Sequence, residues 1–77
     1  MTSLEKTDGV LRQVKKRREK QNEKWGQSSH PLPFWLTILV EEVGEVSEAI
    51  LAGNTEEVKD ELLDVSAVAV AIIEDIQ

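Results

Sequence analysis

Cysteine is absent from this 77-residue chain, histidine occurs once, and aromatic residues make up 4% of it. The first absence excludes a disulfide framework and any cysteine-based zinc or redox site. No stretch approaches the roughly 18 to 20 uncharged apolar residues that cross a bilayer. Charges at Glu5, Lys6 and Asp8 leave the N-terminus without the apolar core of a signal peptide. A cytoplasmic protein with no membrane partner is the expectation. The length allows one small domain, residues 1–77. A chain this short, without disulfides, draws its stability from helix packing, a hard metal ion or a second copy, so a homo-oligomer is expected.

Positive charge is scarce outside the first third. Residues 1–24 hold eight Lys/Arg against four Asp/Glu, whereas residues 25–77 hold one Lys against eleven Asp/Glu. The block Lys15-Lys16-Arg17-Arg18, with Lys20 and Lys24, has the look of a nucleic-acid footprint. Glu19 and Glu23 interrupt it, and no aromatic is interleaved to stack bases. A solvated helix face explains it better, and no nucleic-acid partner is expected. Alternatively, part of this charge answers a polyanionic substrate or the acidic remainder of the chain.

Two breaks punctuate the sequence. Gly26-Gln27-Ser28-Ser29-His30-Pro31-Leu32-Pro33 is read as a loop, because two prolines this close cannot both sit inside a helix. Gly26 suits a helix end and Pro33 a helix start. At Gly53-Asn54 the glycine suits a C-cap, and Asn54 with Glu57 resembles a capping box. With no period-2 pattern, the expectation is an all-α protein, a bundle of three helices near 4–25, 33–52 and 55–76, completed by oligomerisation.

At about 100° per residue, the second helix gathers Leu36, Leu39, Val40, Val43, Val46 and Ile50 on one stripe, with Glu41 and Glu48 opposite in solvent. Glu42 instead falls among Trp35, Ile38, Val46 and Ala49, with Glu45 one turn along. On the third helix, apolar on nearly every side, Glu61 lies among Val65, Val68 and Ile72, and Asp64 lies beside Ala71. An ExxE or ExxD pair alone is common on a solvated helix face. Two such pairs on consecutive apolar helices joined by a tight turn are a different matter. Four carboxylates directed inward demand neutralisation, since one unpaired buried ion already costs several kcal/mol. After Lys24 the only base is Lys59. A divalent cation answers the problem, and an all-oxygen donor set suits Mg²⁺, or Mn²⁺ in its place.

These residues carry a resemblance. Glu41-Glu42-Val43-Gly44-Glu45-Val46 followed by Glu61-Leu62-Leu63-Asp64-Val65, with fifteen residues between the acidic pairs, resembles the ExxE…ExxD signature of the MazG-like all-α nucleoside triphosphate pyrophosphohydrolases. Upstream, Lys24-Trp25-Gly26-Gln27 and His30-Pro31 look like the W…H-P segment of short phage-type and integron-type members and of dCTP pyrophosphatases, so the resemblance covers about residues 12–77. Dimeric dUTPases are related. The resemblance implies a Mg²⁺-dependent enzyme that cleaves a nucleoside triphosphate between the α and β phosphates, as house-cleaning of the nucleotide pool, on a bundle of two or four chains. It implies Glu42, Glu45, Glu61 and Asp64 as metal ligands, and Glu41 as the group that orients or deprotonates the attacking water. Family members usually carry further basic or amide side chains beyond the third helix, whereas this sequence ends at Gln77. Phosphate contacts then come from the first helix, from Lys59 or from a neighbouring subunit, or else this sequence is part of a longer chain.

The substrate-binding candidates are Trp25, His30, Arg18 and Lys59. Trp35, opening the apolar helix, reads as core. Trp25 has few apolar partners on its own helix, only Leu4, Val10, Leu11 and Val14, and reads equally as core or as a base platform. His30 is a solvated or capping loop residue, or it hydrogen-bonds a nucleobase as its counterpart does in similar pyrophosphatases. Arg18 and Gln21 extend the stripe of Val10, Leu11 and Val14; either this end overhangs solvent, or it lines a polar site where Arg18 grips phosphate through its forked guanidinium. The competing reading is a non-catalytic oligomeric helical module that keeps the acids as a structural metal site or docking surface.

Overall fold

The computed structural model describes residues 2–26 and 29–77, the side chain of Ser3 excepted. Met1 and the Gln27-Ser28 part of the expected loop lie outside the described residues. Three helices account for the architecture: α1 (Ser3–Trp25), α2 (Leu32–Leu51) and α3 (Thr55–Ile76), with no strand among the described residues. The chain is all-α, and no described helix is long and apolar enough to cross a membrane.

The helix ends follow from local chemistry. Thr2 caps α1 through a reciprocal box with Glu5, its hydroxyl accepting from the Glu5 amide at 3.2 Å while the Glu5 carboxylate accepts from the Thr2 amide. Gly26 closes α1 at φ +73°, its amide donating to the Asn22 carbonyl. Pro33 sits in the first turn of α2, where no amide hydrogen is required. Gly53 turns the chain at φ +70°, and Asn54 Oδ1 accepts from the Glu57 amide at 3.1 Å. The expected capping box is only half formed. Glu57 takes its return bond from the Asn54 side-chain amide, because the Asn54 backbone amide is already committed to the Ala49 carbonyl across the turn.

α3 packs against both α1 and α2, which do not approach each other closely. The short turn at residues 52–54 folds α3 back along α2. Their shared core consists of small or medium side chains around one tryptophan: Val14, Trp35, Val46, Ala49, Ala67, Val68 and Ala71. The alanines at 49, 67 and 71 leave little side chain to separate the backbones.

Two sequence expectations need correction. On α2 the inward face is Trp35, Val46 and Ala49, flanked by half-buried Ile38, Leu39 and Glu42. Of the predicted stripe, Val46 is buried and Leu39 half-buried, but its other edge is turned outward, leaving Leu36 and Val40 each 59% exposed, with Val43 and Ile50 also in the open. The apolar arc of α2 is wide, reaching from Ile38 and Ala49 round to Leu36 and Val40, so periodicity alone does not fix which part of it turns inward. On α1 only Val14 of the expected stripe is buried. Polar contacts hold this helix instead: Arg17 bridges Asp60 and Asp64, and Arg18 bridges Glu74. Part of the N-terminal positive charge thus answers the acids of α3.

Candidate active site

Glu42 and Glu45 stand one turn apart on α2, and Glu61 faces them from α3. One carboxylate oxygen from each lies within 4.8 Å of the other two. Among the described residues this is the only such group of three or more metal-ligating side chains. Glu42 Oε2 and Glu61 Oε2 are buried and have no hydrogen-bond partner. A buried, unsatisfied carboxylate oxygen is costly, and two at one place, from two helices, are what a cation pocket presents.

The electrostatics follow. Burial first, then the adjacent Glu45 carboxylate and Asp64, push Glu42 up to about 7. Burial, then Glu45 and the charges of Asp64 and Asp60, push Glu61 to about 7 as well. Near neutral pH both carboxyls therefore stand between their protonated and ionised forms. The donor set is oxygen-only and anionic, which fits a hard divalent cation.

Asp64, the fourth expected ligand, lies close enough to raise both glutamates but falls outside the three-donor group. Its Oδ1 accepts from Arg17 Nη1 at 2.7 Å. Arg17 also donates to the Asp60 carboxylate and the Asp60 carbonyl. The sequence reading did not single out Arg17. Its position three residues after buried Val14 puts it on the inward face of α1, which was the available signal.

Beside the acids lies a cleft of about 450 Å³. Arg18, Gln21, Asn22 and Trp25 line it from α1; His30 and then Phe34, Trp35, Ile38, Glu41 and Glu42 form another wall, with Val68 and Ala71 of α3 completing it. Glu42 belongs to both cleft and acid group, so the two adjoin at that residue. Glu41 is exposed, as its helical position indicates, yet it lines the cleft mouth. Trp25 is 62% exposed, with the Lys24 ammonium over its ring 5.2 Å from the centroid. His30 stacks at a tilt on Phe34, centroids 4.5 Å apart, and meets Trp35 edge-on. Arg18 is held by Asn22 and Glu74.

A sequence profile of the MazG nucleotide pyrophosphohydrolase domain matches residues 34–76. The chain belongs to this family. The MazG match contains all four acids of the two couplets, whereas α1 and His30 lie outside it. Membership in a pyrophosphohydrolase family implies a nucleotide substrate. No curated protein sequence and no solved structure matches the chain.

Of the expected site residues, Arg18, Trp25, His30, Glu41 and Glu42 share the cleft, and Glu42, Glu45 and Glu61 share the acid group. Lys59 is elsewhere. It lines a separate groove with Gln13, Asn54, Glu56, Glu57 and Asp60, because two residues along a helix place it nearly opposite Glu61. Phe34 and Asn22 are cleft residues that the sequence reading passed over; Asn22 stands one turn beyond Arg18 on α1, which was the signal for it.

Proposed function

We propose that this chain is a Mg²⁺-dependent nucleoside triphosphate pyrophosphohydrolase that splits a (d)NTP between its α and β phosphates, yielding the monophosphate and pyrophosphate. The observation that carries the reading is the pair of orphaned, buried oxygens on Glu42 and Glu61, grouped with Glu45, where Glu42 also lines an aromatic cleft. Nucleotide-pool house-cleaning is the corresponding role.

Glu42, Glu45 and Glu61 would hold the ion, with Asp64 as fourth ligand once released from Arg17. Bound there, magnesium supplies positive charge against the triphosphate and Lewis acidity for the hydrolytic water. The cleft takes the nucleoside. Trp25 and Phe34 present aromatic surface for the base, and His30 supplies ring nitrogens that hydrogen-bond its edge. Arg18 exchanges Glu74 for a phosphate, matching its oxygens with a guanidinium fork. Glu41, exposed at the cleft mouth, orients the attacking water or takes its proton. Lys59 has no part in this arrangement.

A homo-oligomer completes the fold. Leu36, Val40, Val43 and Ile50 leave an exposed apolar strip on α2, interrupted only at Ser47, and a core with no large side chain fully enclosed gives the lone chain little reserve. A second copy covers that strip.

Pyrophosphate release from a panel of dNTPs with Mg²⁺ tests the reading. Turnover of at least one nucleotide, abolished by EDTA and by Glu61→Gln in a folded variant, is the expected result. Silence with every nucleotide favours the competing structural module, and full activity of Glu61→Gln overturns the ligand assignment.

A further inference from the structure

Asp75 occupies the last turn of α3, the end of a helix where negative charge is least welcome. Three donors from one short stretch of chain converge on its carboxylate. Ser29 Oγ donates to Oδ1 at 2.8 Å, while the His30 amide at 3.1 Å and Trp35 Nε1 at 2.7 Å both donate to Oδ2. These bonds hold the carboxyl below its ordinary range, Trp35 contributing most. Asp75 is thus kept ionised, and each donor it engages is roughly twice as strongly held as by a neutral acceptor.

The positions of the donors matter more than their number. His30 and Trp35 line the cleft, and their rings meet at 4.9 Å. Asp75 does not line it. Without this carboxylate, the segment preceding α2 has no side-chain hydrogen bond to α3 among the described residues. The geometry points to Asp75 as a positioning residue that pins His30 and Trp35 to the end of α3 and so fixes the wall against which the nucleoside rests. The inference deepens the nucleotide reading of the cleft and, for its kinetic consequence, rests on it.

Asp75→Ala removes the acceptor. Asp75→Asn keeps one oxygen, which suffices for the Oδ2 pair from His30 and Trp35, while its amide group faces Ser29. In the ligand-free protein, Asp75→Ala is expected to shift the Trp35 indole proton signal, assigned by its loss in Trp35→Phe, and to expose it to solvent exchange; Asp75→Asn restores it. In turnover, Asp75→Ala raises KM for the preferred nucleotide by about tenfold, the equivalent of one strong polar contact, with kcat nearly unchanged and Asp75→Asn close to wild type. Binding of Mn²⁺ alone stays as in wild type, since the acid group lies outside the latch. An unchanged indole signal in Asp75→Ala overturns the latch, and so does an unchanged KM. Weakened Mn²⁺ binding alongside loss of kcat also overturns it, by showing a general structural role. A wild-type chain silent towards all nucleotides defeats the substrate reading alone, and the indole signal still decides the latch.

Discussion

Arg17 Nη1 lies 2.7 Å from Asp64 Oδ1, so the acid expected as fourth metal ligand is neutralised from the first helix. The pair is largely shielded, with side-chain exposures of 21% and 29%, whereas the second partner, Asp60, is 61% exposed and adds little. Arg17→Met should cost about 1 to 2 kcal/mol of stability without metal. With Mg²⁺ present the deficit should shrink, because the freed carboxylate gains a cation in exchange. Thermal denaturation in EDTA and in Mg²⁺ measures both. An identical magnesium effect in variant and wild type would separate Asp64 from the metal site.

The raised values of Glu42 and Glu61 set a pH dependence of defined sign. Both move from an ordinary 4.5 to about 7. Their contribution to metal-free stability is complete below the ordinary value and is lost as pH rises through 7. Magnesium needs both groups ionised. The rise in Tm on adding Mg²⁺ should therefore be small near pH 5 and grow until pH exceeds about 7, as followed by circular dichroism. A rise that is the same throughout this range contradicts the coupling.

The apolar strip on α2 predicts its own response. Val40→Glu places a carboxylate where a second copy should pack, and burying it unpaired costs several kcal/mol. Sedimentation should show an oligomer for wild type and a smaller species for the variant. A monomeric wild-type chain would remove the proposed interface.

The helices and their breaks were legible because glycine, proline and asparagine act locally: Gly26, Pro33 and Asn54 each occupy an expected end. The acidic couplets were legible for a related reason. Three residues along a helix return to the same face, so Glu42 with Glu45, and Glu61 with Asp64, announce themselves without tertiary information. What the pattern could not convey was which apolar face of α2 turns inward. Leu36 and Val40 are as hydrophobic as Val46 and Ala49; only packing against small residues on α3 distinguishes them. The pairing of Arg17 with Asp64 and the three bonds to Asp75 join residues forty or more positions apart. No local rule relates such positions, and Asp75 in particular sits at a helix end where sequence reasoning expects positive charge.

The central claim is that carboxylates from α2 and α3 form one cation site. Titration of the purified chain with Mn²⁺, followed by electron paramagnetic resonance, tests it most directly. Wild type should bind the ion, and Glu42→Gln/Glu61→Gln, folded by circular dichroism, should bind it weaker by about tenfold or more. Equal binding by the two proteins would contradict the account.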